Sequence, residues 1–251
     1  MPALTVVFDL DGTLVETAPD LVDTLNWVFR REGLPELPYA EARNMIGGGA
    51  RRMIENGLRL EGRAVDDAEM NRMLGDFLTY YGEHVADRSR PFPGLDAALD
   101  KLTAHGCRFA VCTNKREGLS RLLLEALQMT HRFEAICGPD TFQIYKPDPE
   151  ILRRTISRAG GALERAIMVG DSETDIATAR AAGIPMDVLH RVASMASGGM
   201  DTLPHNGAVI TLLAVTGLTH KDSYGDIFVI TMTKTAAVFV VIAFYYLTGI
   251  Y

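Results

Sequence analysis

Three short apolar runs set the pattern of this chain: Val6-Val7-Phe8, Phe109-Ala110-Val111-Cys112 and Ala166-Ile167-Met168-Val169. None alternates with polar residues and each stops at a polar cluster, which predicts strands buried on both faces of a parallel sheet. Between Thr13 and Arg90 the period changes. Leu21, Leu25, Val28 and Phe29, and again Phe77, Tyr80 and Tyr81, recur at three- and four-residue spacing, as on helices with one apolar face. The interval is too long for a loop. It predicts an all-helical cap over residues 15–89, inserted after the first strand of an α/β, doubly wound parallel sheet formed by residues 1–14 and 90–185.

The candidate chemistry lies where the runs stop. Asp9 and Asp11 stand one residue apart ahead of Gly12 and Thr13, and the glycine permits a tight turn that brings backbone close to a ligand. Thr113-Asn114 offers a hydroxyl and free backbone N–H groups to an anion. Lys146-Pro147-Asp148-Pro149 fixes a cation in a stiff turn, and Gly170-Asp171-Ser172-Glu173-Thr174-Asp175 ends a third run in acids. Singly, each has a plain structural reading: acids that cap helices or bind ions on a surface, Thr113 as an N-cap, Lys146 as a solvated turn residue, Asp171 and Asp175 as a helix's acidic first turn. Together they converge on one crevice, because ligands of open α/β sheets bind outside the carboxyl ends of the strands.

The set Asp9-x-Asp11-Gly12-Thr13, Thr113-Asn114, Lys146-Pro147 and Gly170-Asp171-x-x-x-Asp175 resembles the four motifs of the haloacid dehalogenase-like superfamily, over residues 1 to about 185. Within it the chain most resembles phosphoglycolate phosphatases, through Pro91-Phe92-Pro93-Gly94, Thr113-Asn114-Lys115, Lys146-Pro147-Asp148-Pro149 and Gly170-Asp171-Ser172. The resemblance implies a Rossmann-like core and hydrolysis of a small phosphorylated metabolite through an aspartyl-phosphate. Asp9 is then the nucleophile, with Mg²⁺ held by the side chains of Asp9 and Asp171 and the backbone carbonyl of Asp11, while Asp175 orients water and ligands from behind those contacts. Lys146 offsets charge, and Thr113 with the Asn114 amide binds the transferring oxygens. Asp11 serves as general acid and then base. Relatives acting on carbon–halogen bonds lack this second Asp and cation pumps carry Asp-Lys-Thr-Gly-Thr, so a phosphatase or a phosphomutase is expected. 2-Phosphoglycolate is the preferred substrate on this reading, a sugar phosphate the alternative.

Within the cap, Gly47-Gly48-Gly49-Ala50-Arg51-Arg52 has two readings: a helix start whose open amides and cations, Gly48 and Arg51 among them, seat a substrate carboxylate, or a loop with solvated arginines. The net charge of −7 predicts no basic surface for nucleic acid. Cys107, Cys112 and Cys137 have no metal-ligand spacing and read as reduced buried thiols. The first strand starts almost at once, leaving no room for a signal peptide, so the catalytic part is expected to be cytoplasmic. The sequence specifies no oligomeric state.

After Pro185 the composition changes. The last 66 residues hold 3 Lys or Arg and 4 Asp or Glu, against 22 and 28 before them. Instead of the superfamily's further strand and final helix, 186–251 reads as an apolar, helical, transporter-like segment. Residues 198–211 resemble part of gluconate-type proton symporters, which makes a membrane-transport fragment the reading from another functional class. The uncharged 235–251 stretch is expected to associate with membrane or detergent.

Overall fold

In a computed structural model, residues 3–184 are described, and they belong to one compact unit. The expectations for 186–251, including the apolar helical segment and the membrane association of 235–251, lie outside the described residues. Among those described, no helix is long and apolar enough to cross a membrane.

All three apolar runs are strands. β1 (Thr5–Phe8) pairs in parallel with β4 (Arg108–Cys112) and with β6 (Ala166–Val169), and β4 pairs with β5 (Ala135–Cys137). The order β5-β4-β1-β6 puts β1 and β4 at the centre, so Val7, Ala110 and Val111 are fully buried. By contrast β6, at the edge among the described strands, is buried only at Ala166 and Met168 and leaves Val169 exposed, contrary to the reading of all three runs as buried on both faces. Helices α5 (Leu95–Ala104), α6 (Glu117–Ala126), the pair α7 (Pro139–Phe142) and α8 (Pro149–Arg158), and α9 (Glu173–Ala182) alternate with these strands, giving the doubly wound plan. Cys112 and Cys137 are free and buried, but Cys107, one residue before β4, is only partly so, a correction to its reading as a core thiol.

Four helices fill most of the interval after the first strand: α1 (Ala18–Arg31), α2 (Tyr39–Arg43), α3 (Ala50–Leu60) and α4 (Asp67–Glu83). One hydrophobic cluster joins Leu21, Leu25 and Phe29 of α1, Ile54 and Leu58 of α3, and Met73, Phe77 and Tyr81 of α4 with Phe8 and Val111 of the sheet. Gly57 makes the approach of α3 to α1 feasible, since a Cβ there would sit 2.7 Å from Phe29 Cζ. The interval is not helical throughout, however. Val15–Glu16 (β2) and Arg90–Pro91 (β3) form a two-stranded antiparallel ribbon where the insertion leaves and rejoins the sheet. Beside it the buried Asp20 carboxylate accepts from the Arg88 and Ser89 N–H groups (2.9 and 2.8 Å) and from Ser89 Oγ (2.6 Å), tying both ends of the insertion together.

Candidate active site

The chain leaves β1 through a tight loop in which the N–H groups of Thr13, Leu14 and Val15 all reach the Leu10 carbonyl, at 3.4, 3.1 and 3.1 Å. Gly12 adopts φ +82° in this loop. Asp9 remains at the strand's carboxyl end with its N–H bonded to Val169 O at 2.8 Å. The ends of β1 and β6 therefore stand side by side, and carboxylate oxygens of Asp9, Asp171 and Asp175 come within 4.8 Å of one another.

Lys146 enters the same group from the loop ahead of α8. Its side chain is buried, with Nζ 2.6 Å from Asp175 Oδ1 and 2.9 Å from Asp9 Oδ1. The Asn114 side chain holds that loop by accepting from Lys146 N at 2.9 Å and donating to Lys146 O at 3.3 Å. Asp175 is fully engaged: Oδ2 accepts from Ser172 Oγ (2.6 Å) and N (3.1 Å) in a capping box at the start of α9, while Oδ1 faces Lys146. Asp171 is more open, with Oδ1 accepting from Thr13 Oγ1 at 3.0 Å. Asp9 Oδ1 is buried without an aligned hydrogen-bond donor, its contact to Lys146 being an ion pair.

Three carboxylates gathered against one ammonium leave an excess of negative charge. Burial pushes the Asp9 carboxyl up to about 6, with Lys146 lowering it and Asp175 and Asp11 raising it further. Burial also raises Asp171. Lys146 is held above its ordinary value although burial alone lowers it, because Asp9 and Asp175 face it. The Asp9 carboxylate, which accepts no aligned hydrogen bond at Oδ1, and the open Asp171 beside it fit a hard divalent cation with oxygen ligands, a class that includes Mg²⁺.

On the other side of Asp9 lies a cavity of about 260 Å³ lined by Asp9, Asp11, Gly48, Arg51, Arg52, Thr113, Asn114, Lys115 and Arg116, with an apolar wall of Met53, Leu74, Phe77 and Leu119. Thr113 Oγ1 accepts from Lys115 N at 3.2 Å, and the Asn114 N–H has no partner among the described residues. The glycine loop before α3 comes against this wall, since a Cβ on Gly49 would lie 3.5 Å from Asn114 O. Of the two arginines there, Arg51 is already engaged, donating to Asn71 Oδ1 at 2.5 Å with Glu55 3.6 Å away.

All sequence-predicted site residues thus meet around one crevice, with Gly48 and Arg51 on the wall formed by the insertion. Sequence reasoning missed Lys115 and Tyr81 as members of the site. Lys115 Nζ donates to Asp11 Oδ1 at 2.6 Å and to Tyr81 Oη at 2.8 Å. The signal was present: a tyrosine on a helix's buried face needs a partner for its hydroxyl, and a lysine sits next to Thr113-Asn114.

Comparison with known proteins agrees with this geometry. The haloacid dehalogenase-like hydrolase family matches residues 6–188. A phosphoglycolate phosphatase of Mesorhizobium japonicum is 48% identical over 181 residues, 72% of this chain and 80% of that protein. One of Caulobacter vibrioides is 42% identical over 181 residues, covering 72% and 76%. Among solved structures, a predicted phosphoglycolate phosphatase from Haemophilus somnus superposes with a TM-score of 0.66 at 30% identity, covering 72% of this chain and 82% of that one.

Proposed function

The chain belongs to the haloacid dehalogenase-like hydrolase family and is a phosphoric monoester hydrolase, and from that premise we propose that it hydrolyses 2-phosphoglycolate through an aspartyl-phosphate on Asp9. The observation that carries this reading is the state of Asp9: a buried carboxylate at the cavity floor whose Oδ1 accepts no aligned hydrogen bond and is ion-paired with Lys146, with Asp171 beside it. A carboxylate that no hydrogen bond ties up is available for nucleophilic attack.

Asp9 attacks phosphorus as the ester P–O bond breaks, and Asp11 gives a proton to the departing alkoxide. Water then attacks the aspartyl-phosphate, its proton passing to the Asp11 carboxylate as the bond from Asp9 to phosphorus breaks. Thr113 Oγ1 and the Asn114 N–H hold the transferring oxygens, and Lys146 offsets their charge beside the nucleophile. Asp9, Asp171 and the Asp11 carbonyl would hold Mg²⁺, which when bound offsets the repulsion between carboxylate and phosphate. The substrate's carboxylate would face Gly48 and the start of α3, where Arg51 and Arg52 line the cavity. The helical insertion serves as the cap that excludes water from this chamber.

A phosphate-release screen over small phosphorylated acids and sugars, with Mg²⁺ and with chelator, tests the proposal. The highest kcat/KM is expected for 2-phosphoglycolate, with no turnover in chelator. A much higher kcat/KM for a hexose phosphate would replace this substrate with the sugar-phosphate alternative.

A further inference from the structure

Three side chains beneath the cavity link the helical insertion to the sheet. Lys115 lies just past β4 with its side chain 5% exposed. Its ammonium donates to Asp11 Oδ1 and to the hydroxyl of Tyr81, and also lies 4.6 Å from the centroid of that ring. Tyr81 comes from the buried face of α4. Thr17 Oγ1, just ahead of α1, donates to the same Asp11 oxygen at 2.7 Å. Asp11 Oδ1 therefore receives two donors, one from each side, while Oδ2 has none among the described residues.

Rotation of a carboxylate about its last torsion is broad and two-fold, so an unrestrained Asp exchanges its two oxygens. Two donors on Oδ1 remove that freedom and leave Oδ2 to carry the proton. A buried ammonium must itself be satisfied, and Lys115 is satisfied by one partner from the loop after β1 and another from the insertion. Another cation already serves the nucleophile, since Lys146 is the one beside Asp9. The hydrogen bonds of the Lys115 ammonium go to Asp11 and Tyr81, not to Asp9.

We propose that Lys115 is a positioning residue for proton transfer: held by Tyr81 of α4, it fixes Asp11 Oδ1 so that Oδ2 meets the leaving-group oxygen, which couples the acid–base step to seating of the insertion on the sheet. This rests on Asp11 being the proton donor, as in the function proposed above. Its chemical consequence is selective. An alkoxide such as that of glycolate needs a proton to leave, whereas p-nitrophenolate does not, so disturbing the aim of Asp11 affects transfer from the first and spares transfer from the second.

The test is single-turnover phosphoryl transfer from 2-phosphoglycolate, or any alkyl phosphate the wild type turns over, and from p-nitrophenyl phosphate, with Mg²⁺ saturating. For Lys115→Met the alkyl phosphate rate is expected to fall at least about 10-fold and the p-nitrophenyl rate less than about 3-fold, within the range a general acid contributes. Tyr81→Phe keeps the ring packed and is expected to give the same selective loss at smaller size. Asp11→Asn, run alongside, separates the two readings. If it shows the selective loss and Lys115→Met and Tyr81→Phe do not, the positioning role is overturned while the acid–base reading stands. If Asp11→Asn loses both substrates equally, the acid–base reading falls and this inference with it. A raised KM for both substrates in Lys115→Met, with unchanged rates at saturation, would make Lys115 a substrate-binding group instead and equally overturn the proposal.

Discussion

Replacing Gly12 by alanine puts one methyl group into the tightest part of the site. Gly12 has φ +82°, and a Cβ built there lies 2.4 Å from Asp171 Oδ2 and 3.0 Å from its Cγ. The backbone term is about 1–2 kcal/mol for a side chain in the left-handed region. The contact is about 1 Å short of van der Waals distance, so the Asp171 carboxylate must swing away, losing the hydrogen bond from Thr13 Oγ1 at about 1 kcal/mol. Stability should therefore fall by about 2–3 kcal/mol, or roughly 4–12 °C in Tm. The functional effect should be larger, since a group misplaced by about 1 Å can cost about 100-fold in rate. Phosphate release measured across a Mg²⁺ titration should show a half-saturation raised about 10-fold or more, together with a kcat lowered on the order of 100-fold. Thr13→Ala is the control, removing the hydrogen bond without adding the methyl group. Wild-type half-saturation and kcat in Gly12→Ala would refute the steric argument, and a loss no greater than that of Thr13→Ala would reduce it to the hydrogen bond alone.

Lys146→Met leaves Asp9 and Asp175 buried without their cation; the metal-free protein should lose about 3–5 kcal/mol in denaturant unfolding, and unchanged stability would show that the ion pairs contribute nothing net. Asp9 makes stability depend on pH: its folded-state carboxyl sits at about 6 against an ordinary 3.8, so the folded chain keeps a proton that the unfolded chain has released, and stability falls as pH rises from 3.8 through about 6. Mg²⁺ competes with that proton, and its increment in Tm should be larger at about pH 7.5 than at about pH 5; an equal increment at both would count against Asp9 as a ligand. Asp20→Ala strands the Arg88 and Ser89 N–H groups and should cost about 2–4 kcal/mol in thermal or denaturant unfolding, whereas a loss below about 1 kcal/mol would mean that water replaces the carboxylate.

What was legible in the sequence is what sits on strand ends. Asp9, Thr113 and Asp171 could be placed because each follows an unalternated apolar run, and a doubly wound sheet brings such ends to one edge whatever the intervening chain does. The helical insertion was legible for a similar reason, since Leu21, Leu25, Val28 and Phe29 repeat at a helix's own period. The ribbon of β2 and β3 was not. Two residues per strand carry no period, and Val15 meets Pro91 only because the insertion returns to its starting point. Arg51 shows the same limit on the cavity wall. Its position in a basic pair at the start of α3 was readable, its hydrogen bond to Asn71 on a neighbouring helix was not.

The contact among Lys115, Asp11 and Tyr81 lies furthest from what sequence pattern can carry. Lys115 is 104 residues from Asp11 and 34 from Tyr81. Periodicity counts Tyr81 only as an apolar-face residue and is silent about its hydroxyl. Yet burial makes the contact obligatory once the fold is fixed: the ammonium, the carboxylate and the phenol each need a partner away from bulk water, and each finds it in the others. Groups that do chemistry can be recognised one strand end at a time. Groups that couple the insertion to that chemistry must bridge two separately patterned segments, so they become visible only when the two are packed together.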